Sequence, residues 1–344
     1  MNKLLSQLTH VEIHAPDMEA SVSYYEQVLG LRVLERTGGK VYLRAWGDYY
    51  PYSVVLAPGD EPGLAVMAWR TASAEALEEA VRRVEDTGHG GKWVEPGARL
   101  GRSYVFTGPY GHAMQLFWEA EHYKAEGAFR SQYPDRPEKR SSHGVAPRYL
   151  DHVTVAARDV TGFCEWYRDV LGFRIMAYAE LPQGNLTFFG VLTTNEKSHD
   201  LGVLLDASDL PGRVHHYAFW VDTSEDLKRA AQLLIENGTA IEFGPGVHGI
   251  GEQEFLYFRD PSRLRVEINS GGYRNYVPDW QPHRWTVEEG PNDLYRNVPL
   301  PQTMLEAFPP APGPTATEQG IVPGTEDELI ARGALHEPKG IVSD

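Results

Sequence analysis

The chain has 344 residues, 42% hydrophobic and 11% aromatic, with a formal net charge of −16. This length predicts about two domains of roughly 150 residues. The acidity, with no basic stripe carrying interleaved aromatics, argues against a nucleic-acid partner. No apolar run approaches the ~18 residues of a membrane span, so no membrane partner is expected. The N-terminus has neither a long apolar stretch nor a small-residue cleavage site, so no secretory signal is expected. The single cysteine, Cys164, lies in a predicted helix and reads as a buried structural thiol. One cysteine rules out an internal disulfide framework and suits a cytoplasmic location.

In chain order, the first half runs from strand-like LTHVEIHA through a helix, ASVSYYEQVLG, to further strands. Residues 120–148 are polar and aperiodic and read as a linker. The second half opens with the strand LDHVTVAAR and the amphipathic helix VTGFCEWYRDVLG, stopped by Gly172. Three strands follow: FRIMAYAE, LTFFGVLTT and LGVLLDA. A second unit repeats that order: the strand VHHYAFWVD, a helix SEDLKRAAQLLIENG capped by Ser224 or Thr223, then AIEFGPG, EFLYFRD and RLRVEIN. From about Pro278 the chain becomes proline-rich and irregular and reads as a tail, part of which folds over something.

The two halves resemble each other. Leu8–Val33 aligns with Leu150–Ile175, placing His10 on His152, Asp17 on Asp159 and Gly30 on Gly172, an offset of 142. Further on, Trp69 falls on Trp220 (offset 151) and Pro109 on Pro261 (offset 152). The fold class implied is α+β: two domains, each of paired βαβββ modules, with curved mixed sheets. The expected boundaries are 1–120 for an inactive N-terminal domain, 121–148 for the linker, 149–275 for a catalytic domain and 276–344 for an irregular lid or tail.

Differences between the copies carry the chemistry. On these offsets His216 faces Ala65 and Glu267 faces Gln115, while His10 and His152 are both histidine. Only the second half therefore holds two imidazoles and a carboxylate on three strands, a donor set that suits a divalent non-haem iron with an open coordination face. Singly, a strand histidine is more often a hydrogen-bonded core residue, and Glu267 could be a surface charge. Their conjunction at matching repeat positions points to a metal. His215 and His216 are adjacent, and successive strand side chains point to opposite faces.

The motifs LDHV, KSHD, VHHYAFWVD, GPGVHGIG, FLYFRDPSRLRVEI and SGGY, in this order, resemble the type I extradiol catechol dioxygenases of the vicinal oxygen chelate superfamily. The resemblance implies metal ligands at His152, His216 and Glu267. It makes His216 the ligand of its pair, with His215 turned away to pack or hydrogen-bond. It places His199 as the acid–base group, and His248 and Tyr257 as hydrogen-bond donors to oxygens where charge develops. The implied cofactor is Fe(II), with Mn(II) possible for the same donors. The implied reaction is O2-dependent ring opening beside the diol, giving a 2-hydroxymuconic semialdehyde. Relatives are often homo-tetramers.

The chain departs from homoprotocatechuate-cleaving members of the family at Thr154, Val191 and Asp293. The first two are expected to line the substrate pocket, and the basic lid residue that holds the substrate carboxylate in those members falls near Asp293 here. These departures favour an uncharged catechol or alkylcatechol over a carboxylated or bicyclic one, although Arg284 or Arg296 could serve a carboxylate. A non-catalytic ligand-sequestering protein and a zinc or nickel isomerase of the same superfamily rank lower.

Overall fold

The computed structural model describes residues 3–181, 186–206, 208, 210–295 and 300–311. The N-terminal half contains β1 (Leu5–Ala15), α1 (Met18–Gln27), β2 (Arg32–Thr37), β3 (Lys40–Arg44), β4 (Val54–Pro58), β5 (Gly63–Thr71), α2 (Ala74–Asp86), β6 (Lys92–Val94), β7 (Ser103–Thr107) and β8 (Ala113–Phe117). The second half contains β9 (Tyr149–Ala157), α3 (Val160–Leu171), β10 (Arg174–Leu181), β11 (Leu186–Thr193), β12 (Leu201–Leu205), β13 (Val214–Trp220), α4 (Ser224–Glu236), β14 (Ile241–Val247), β15 (Gln253–Arg259) and β16 (Arg265–Gly271). These are four βαβββ modules in two mixed sheets, the α+β architecture expected. The strand orders are β2-β3-β4-β1-β5-β8-β7-β6 in the first sheet and β14-β15-β16-β13-β9-β12-β11-β10-β17 in the second.

The added strand, β17 (His283–Thr286), pairs parallel with β10 and comes from the segment expected to be irregular. The tail is thus partly ordered. Its short HRWT run between prolines gives too little alternation to read as a strand. Residues 312–344 lie outside the described residues, as does Arg296.

Local chemistry sets the helix ends. Asp17 and Asp159, equivalent in the repeat, cap α1 and α3 by accepting from Ala20 N (3.0 Å) and Gly162 N (2.9 Å). Gly172 ends α3 at φ 75°, a left-handed position that costs glycine nothing. Thr223, not Ser224, caps α4. One apolar core runs through both halves, with Trp69 packing edge-on against Phe173 at 5.0 Å between ring centroids. Among the described residues no helix is long and apolar enough to cross a membrane.

The linker is tied to the first half. Glu138, buried, takes ion pairs from Arg32 (2.7 Å) and Arg44 (2.8 Å), and the Val145 and Ala146 amides donate to Val28 and Leu29 carbonyls.

Candidate metal centre

Three central strands of the second sheet build the site. β13 lies between β9 and β16, with Ala218 opposite both His152 on β9 and Glu267 on β16. Thr154 is the register partner of His216, and Tyr257 that of Glu267. His152, His216 and Glu267 are buried, and one donor atom of each lies within 4.8 Å of the others. His152 Nε2 is 3.1 Å from His216 Nε2, and both nitrogens are 3.1 Å from Glu267 Oε2. Glu267 Oε1 has no hydrogen-bond partner among the described residues.

This donor set fits a cation. Two imidazole lone pairs and a carboxylate converge in a buried space where an uncompensated negative charge is costly. Burial alone would raise Glu267, yet the two imidazoles hold it well below the usual carboxylate range. Burial would lower His152, but Glu267 and Asp151 lift it to about 9, while burial takes His216 down to about 4. One histidine is drawn into carrying the positive charge that a metal would otherwise bring.

The imidazoles are held from behind. His152 Nδ1 meets Asp151 Oδ2 at 2.9 Å, and Asp151 also accepts from Asn269 Nδ2 (2.9 Å), Gln253 Nε2 (3.2 Å) and Lys197 Nζ (3.2 Å). A carboxylate behind a ligating histidine fixes its tautomer and ring orientation. Sequence reading missed Asp151. The available signal was its place beside His152, where the first copy has Thr9.

A cavity opens onto the three donors. Its wall includes all of the other sequence-derived candidates: Thr154, Val191, His199, His248 and Tyr257. His199 is buried, with its ring centroid 4.2 Å from that of His152. Burial and the neighbouring His152 push it well below an ordinary histidine. Its loop is pinned by Asp200, which accepts from Thr193 Oγ1 (3.0 Å), the Thr194 amide (2.8 Å) and Lys197 Nζ (2.7 Å). His248 Nδ1 lies 2.6 Å from Asn292 O and its Nε2 3.0 Å from the Tyr257 hydroxyl. Most of the remaining wall is apolar, including Leu181, Phe188, Phe189, Ile250, Leu300 and Met304.

Three readings need correction. His215 does not turn away from the site. The β9–β13 register shifts between Val214 and His216, so His215 is the extra residue of a bulge, and its ring contacts that of His216. The equivalent shift between Glu12 and Ile13 in the first sheet makes Ala65 the extra residue there. His216 therefore matches Val66, and Ala65 matches His215. Arg284 is not at the cavity: half-exposed, it pairs with Glu180 and lies over the Tyr178 ring.

The family profile of the glyoxalase/bleomycin resistance protein/dioxygenase superfamily matches residues 7–116 and 149–268. The chain belongs to this superfamily. A manganese-dependent 2,3-dihydroxybiphenyl 1,2-dioxygenase from Geobacillus genomosp. 3 is 34% identical over 293 residues, spanning 84% of this chain and 92% of its own. A metapyrocatechase from Geobacillus stearothermophilus is 31% identical over 290 residues, spanning 84% and 88%. Within the superfamily, this enzyme is an extradiol dioxygenase. The anaerobic substrate complex of homoprotocatechuate 2,3-dioxygenase from Brevibacterium fuscum superposes with a TM-score of 0.77 at 23% identity, covering 88% of this chain and 92% of that one, a likeness of fold.

Among the described residues, the grouped metal-binding side chains all lie in the second half, and the first half packs its equivalent histidine instead. His10 is buried, bonded to Thr9 Oγ1 at 3.1 Å, and packed 4.6 Å from the Tyr52 ring. Tyr52 and Phe117, which pack on His10, belong to a small apolar cluster with Val55, Ala68 and Leu100. Burial takes His10 down to about 3, the behaviour of a core histidine.

Proposed function

We propose that this extradiol dioxygenase opens the ring of an uncharged catechol beside its diol, yielding a 2-hydroxymuconic semialdehyde. His152, His216 and Glu267 would hold the metal. The observation that carries the reading is the convergence of two Nε2 atoms and one carboxylate oxygen, mutually 3.1 Å apart, on one wall of a largely apolar cavity. Bound there, the metal supplies a Lewis acid for the catecholate and an electron path between ring and O2. Fe(II) is the first assignment, and Mn(II) suits the same donors.

The chain's own residues handle protons and position. His199, ring to ring with His152 and facing the cavity, is placed to accept a catechol proton and return it later. His248 and Tyr257 act as one unit. With the His248 Nδ1–H donated to Asn292 O, its Nε2 accepts from Tyr257. The Tyr257 hydroxyl is then the group that can redirect its hydrogen toward an oxygen on which charge develops.

The cavity wall favours an uncharged ring. Among the described lining residues none is lysine or arginine. A substrate carboxylate would lose its hydration there without a partner. Buried Asp293 supplies no positive charge, which supports ranking homoprotocatechuate behind catechol and alkylcatechols. Phe188, Phe189 and Leu300 favour an apolar substituent, so a bicyclic catechol, like that named for the Geobacillus genomosp. 3 relative, is the second reading. We further infer a homo-oligomer, to be sized by light scattering. A cytoplasmic location fits the one buried thiol, Cys164.

The test is anaerobic loading with Fe(II) or Mn(II), then mixing in air with catechol, 4-methylcatechol, homoprotocatechuate and 2,3-dihydroxybiphenyl. Yellow product from catechol that is lost in H216A supports the reading, and the panel ranks the substrates. Bound metal without colour from any of them rejects the substrate class. Failure to bind metal rejects the site and favours ligand sequestration.

A further inference from the structure

A strap of chain, residues 300–311, forms part of the cavity wall. Leu300, Met304 and Leu305 contribute to its wall. Three arginines clamp the strap from the sheet. Arg213 Nε donates to Pro309 O at 2.8 Å, Arg265 Nη1 to Glu306 O at 2.9 Å, and Arg259 Nη2 to Thr303 O at 3.2 Å and Glu306 Oε2 at 3.1 Å. Phe308 and Val214 exchange both backbone hydrogen bonds, each 2.8 Å, one residue before His215. The strap is thus attached to the start of the strand that carries His216.

His215 joins the two. Its Nδ1 lies 2.6 Å from His216 Nδ1, and its Nε2 lies 2.6 Å from the backbone oxygen of Met304. This chain has one consistent arrangement of hydrogens. Ligation through Nε2 requires a lone pair there, so neutral His216 carries its hydrogen on Nδ1. That hydrogen can go only to a lone pair on His215 Nδ1, which puts the His215 hydrogen on Nε2. A carbonyl oxygen, such as that of Met304, is an acceptor for it.

We propose that His215 is a positioning residue that couples the strap to the metal ligand His216. Resting on the ligand assignment above, the coupling makes closure of the cavity and orientation of one ligand a single event. Met304 lines the cavity while its carbonyl holds His215, so a ring pressing on the strap is felt at His216. The bulge makes this possible. In the first half the same bulge carries Ala65, which offers no hydrogen bond.

Mn(II) binding to metal-free protein, followed by EPR, tests this without turnover. H215F keeps a ring but removes both hydrogen bonds, and is expected to weaken Mn(II) binding on the order of 10- to 100-fold. H215Q, which offers both an acceptor and a donor, is expected to recover most of that loss. R259A loosens the strap from outside the cavity. It should speed hydrogen exchange of the Phe308 amide and weaken Mn(II) binding, yet add little when H215F is already present.

Unchanged affinity in H215F, or additive effects of H215F and R259A, overturns the coupling. If H215F does not fold, faster Phe308 exchange with unchanged affinity in R259A overturns it instead. H216A separates the two claims. Metal retained in H216A refutes the ligand assignment, whereas metal lost in H216A but kept in H215F refutes the coupling alone.

Discussion

Replacing Asp260 with asparagine tests how burial sets the pH dependence of stability. Asp260 follows β15 where the two halves meet. Its Oδ2 accepts from the Tyr25 hydroxyl of α1 at 2.8 Å, and its Oδ1 from the Leu264 amide at 2.9 Å. Burial, only partly offset by these donors, raises its pKa from 3.8 to about 6. Between these values the folded protein binds more protons than the unfolded chain, so stability falls as pH rises. The contribution is complete below about pH 4 and is lost as pH passes about 6. At about 1.4 kcal/mol per pKa unit, the gap is worth about 3 kcal/mol. Asparagine is a neutral isostere that keeps the Oδ1 acceptor. Near pH 4, D260N and the parent should be similarly stable in urea unfolding. By pH 8, D260N should be the more stable by up to about 3 kcal/mol. Asp48, raised to about 7 by burial, bends both curves alike and cancels in their difference. A difference that stays flat from pH 4 to 8, or that favours the parent at pH 8, refutes the reasoning.

H10A should cost about 2–4 kcal/mol of stability, as a buried large-to-small change, and leave bound metal per chain unchanged. Metal loss comparable to that of H216A would show that the first half contributes to the site. Cys164 is fully buried and its thiol is pushed up by burial, so it should resist a thiol reagent until the protein unfolds; rapid labelling of the native enzyme contradicts this. In G190A the new Cβ would lie 2.7 Å from Cys164 Sγ, so a loss of about 1–3 kcal/mol is expected, relieved by adding C164A. R284A should leave the ranking of the four catechols unchanged, and a shift in homoprotocatechuate turnover would place Arg284 at the cavity after all.

The repeated module was legible because each unit carries its own punctuation. Asp17 and Asp159 cap equivalent helices, Gly172 stops one of them, and apolar alternation marks the strands. The superfamily and enzyme class were legible for a related reason: several short motifs had to fall in one order. What stayed hidden was register. A bulge adds one residue without changing the apolar pattern, so matching by sequence offset put His216 on Ala65, whereas the paired strands put it on Val66. The same bulge brings His215 beside His216, which strict alternation forbids. The strand HRWT was hidden because its pairing partner, β10, lies about a hundred residues upstream. The apolar wall was also illegible, since Phe188, Ile250 and Met304 meet only in the folded chain.

The two halves show what it takes to turn one cradle into a metal site. Both keep the histidine on the first strand and the bulge residue behind it. The second half then has Asp151 for Thr9, His216 for Val66, Tyr257 for Val105 and Glu267 for Gln115. Each change puts an ionisable group into a buried space, and together they form a cluster that is costly without a cation. In the first half, Tyr52 and Phe117 pack on His10, and Gln115 is satisfied by Ser103 at 2.8 Å. That half shares one continuous core with the second. The first half thus contributes apolar burial that helps offset the cost of the polar cluster in the second.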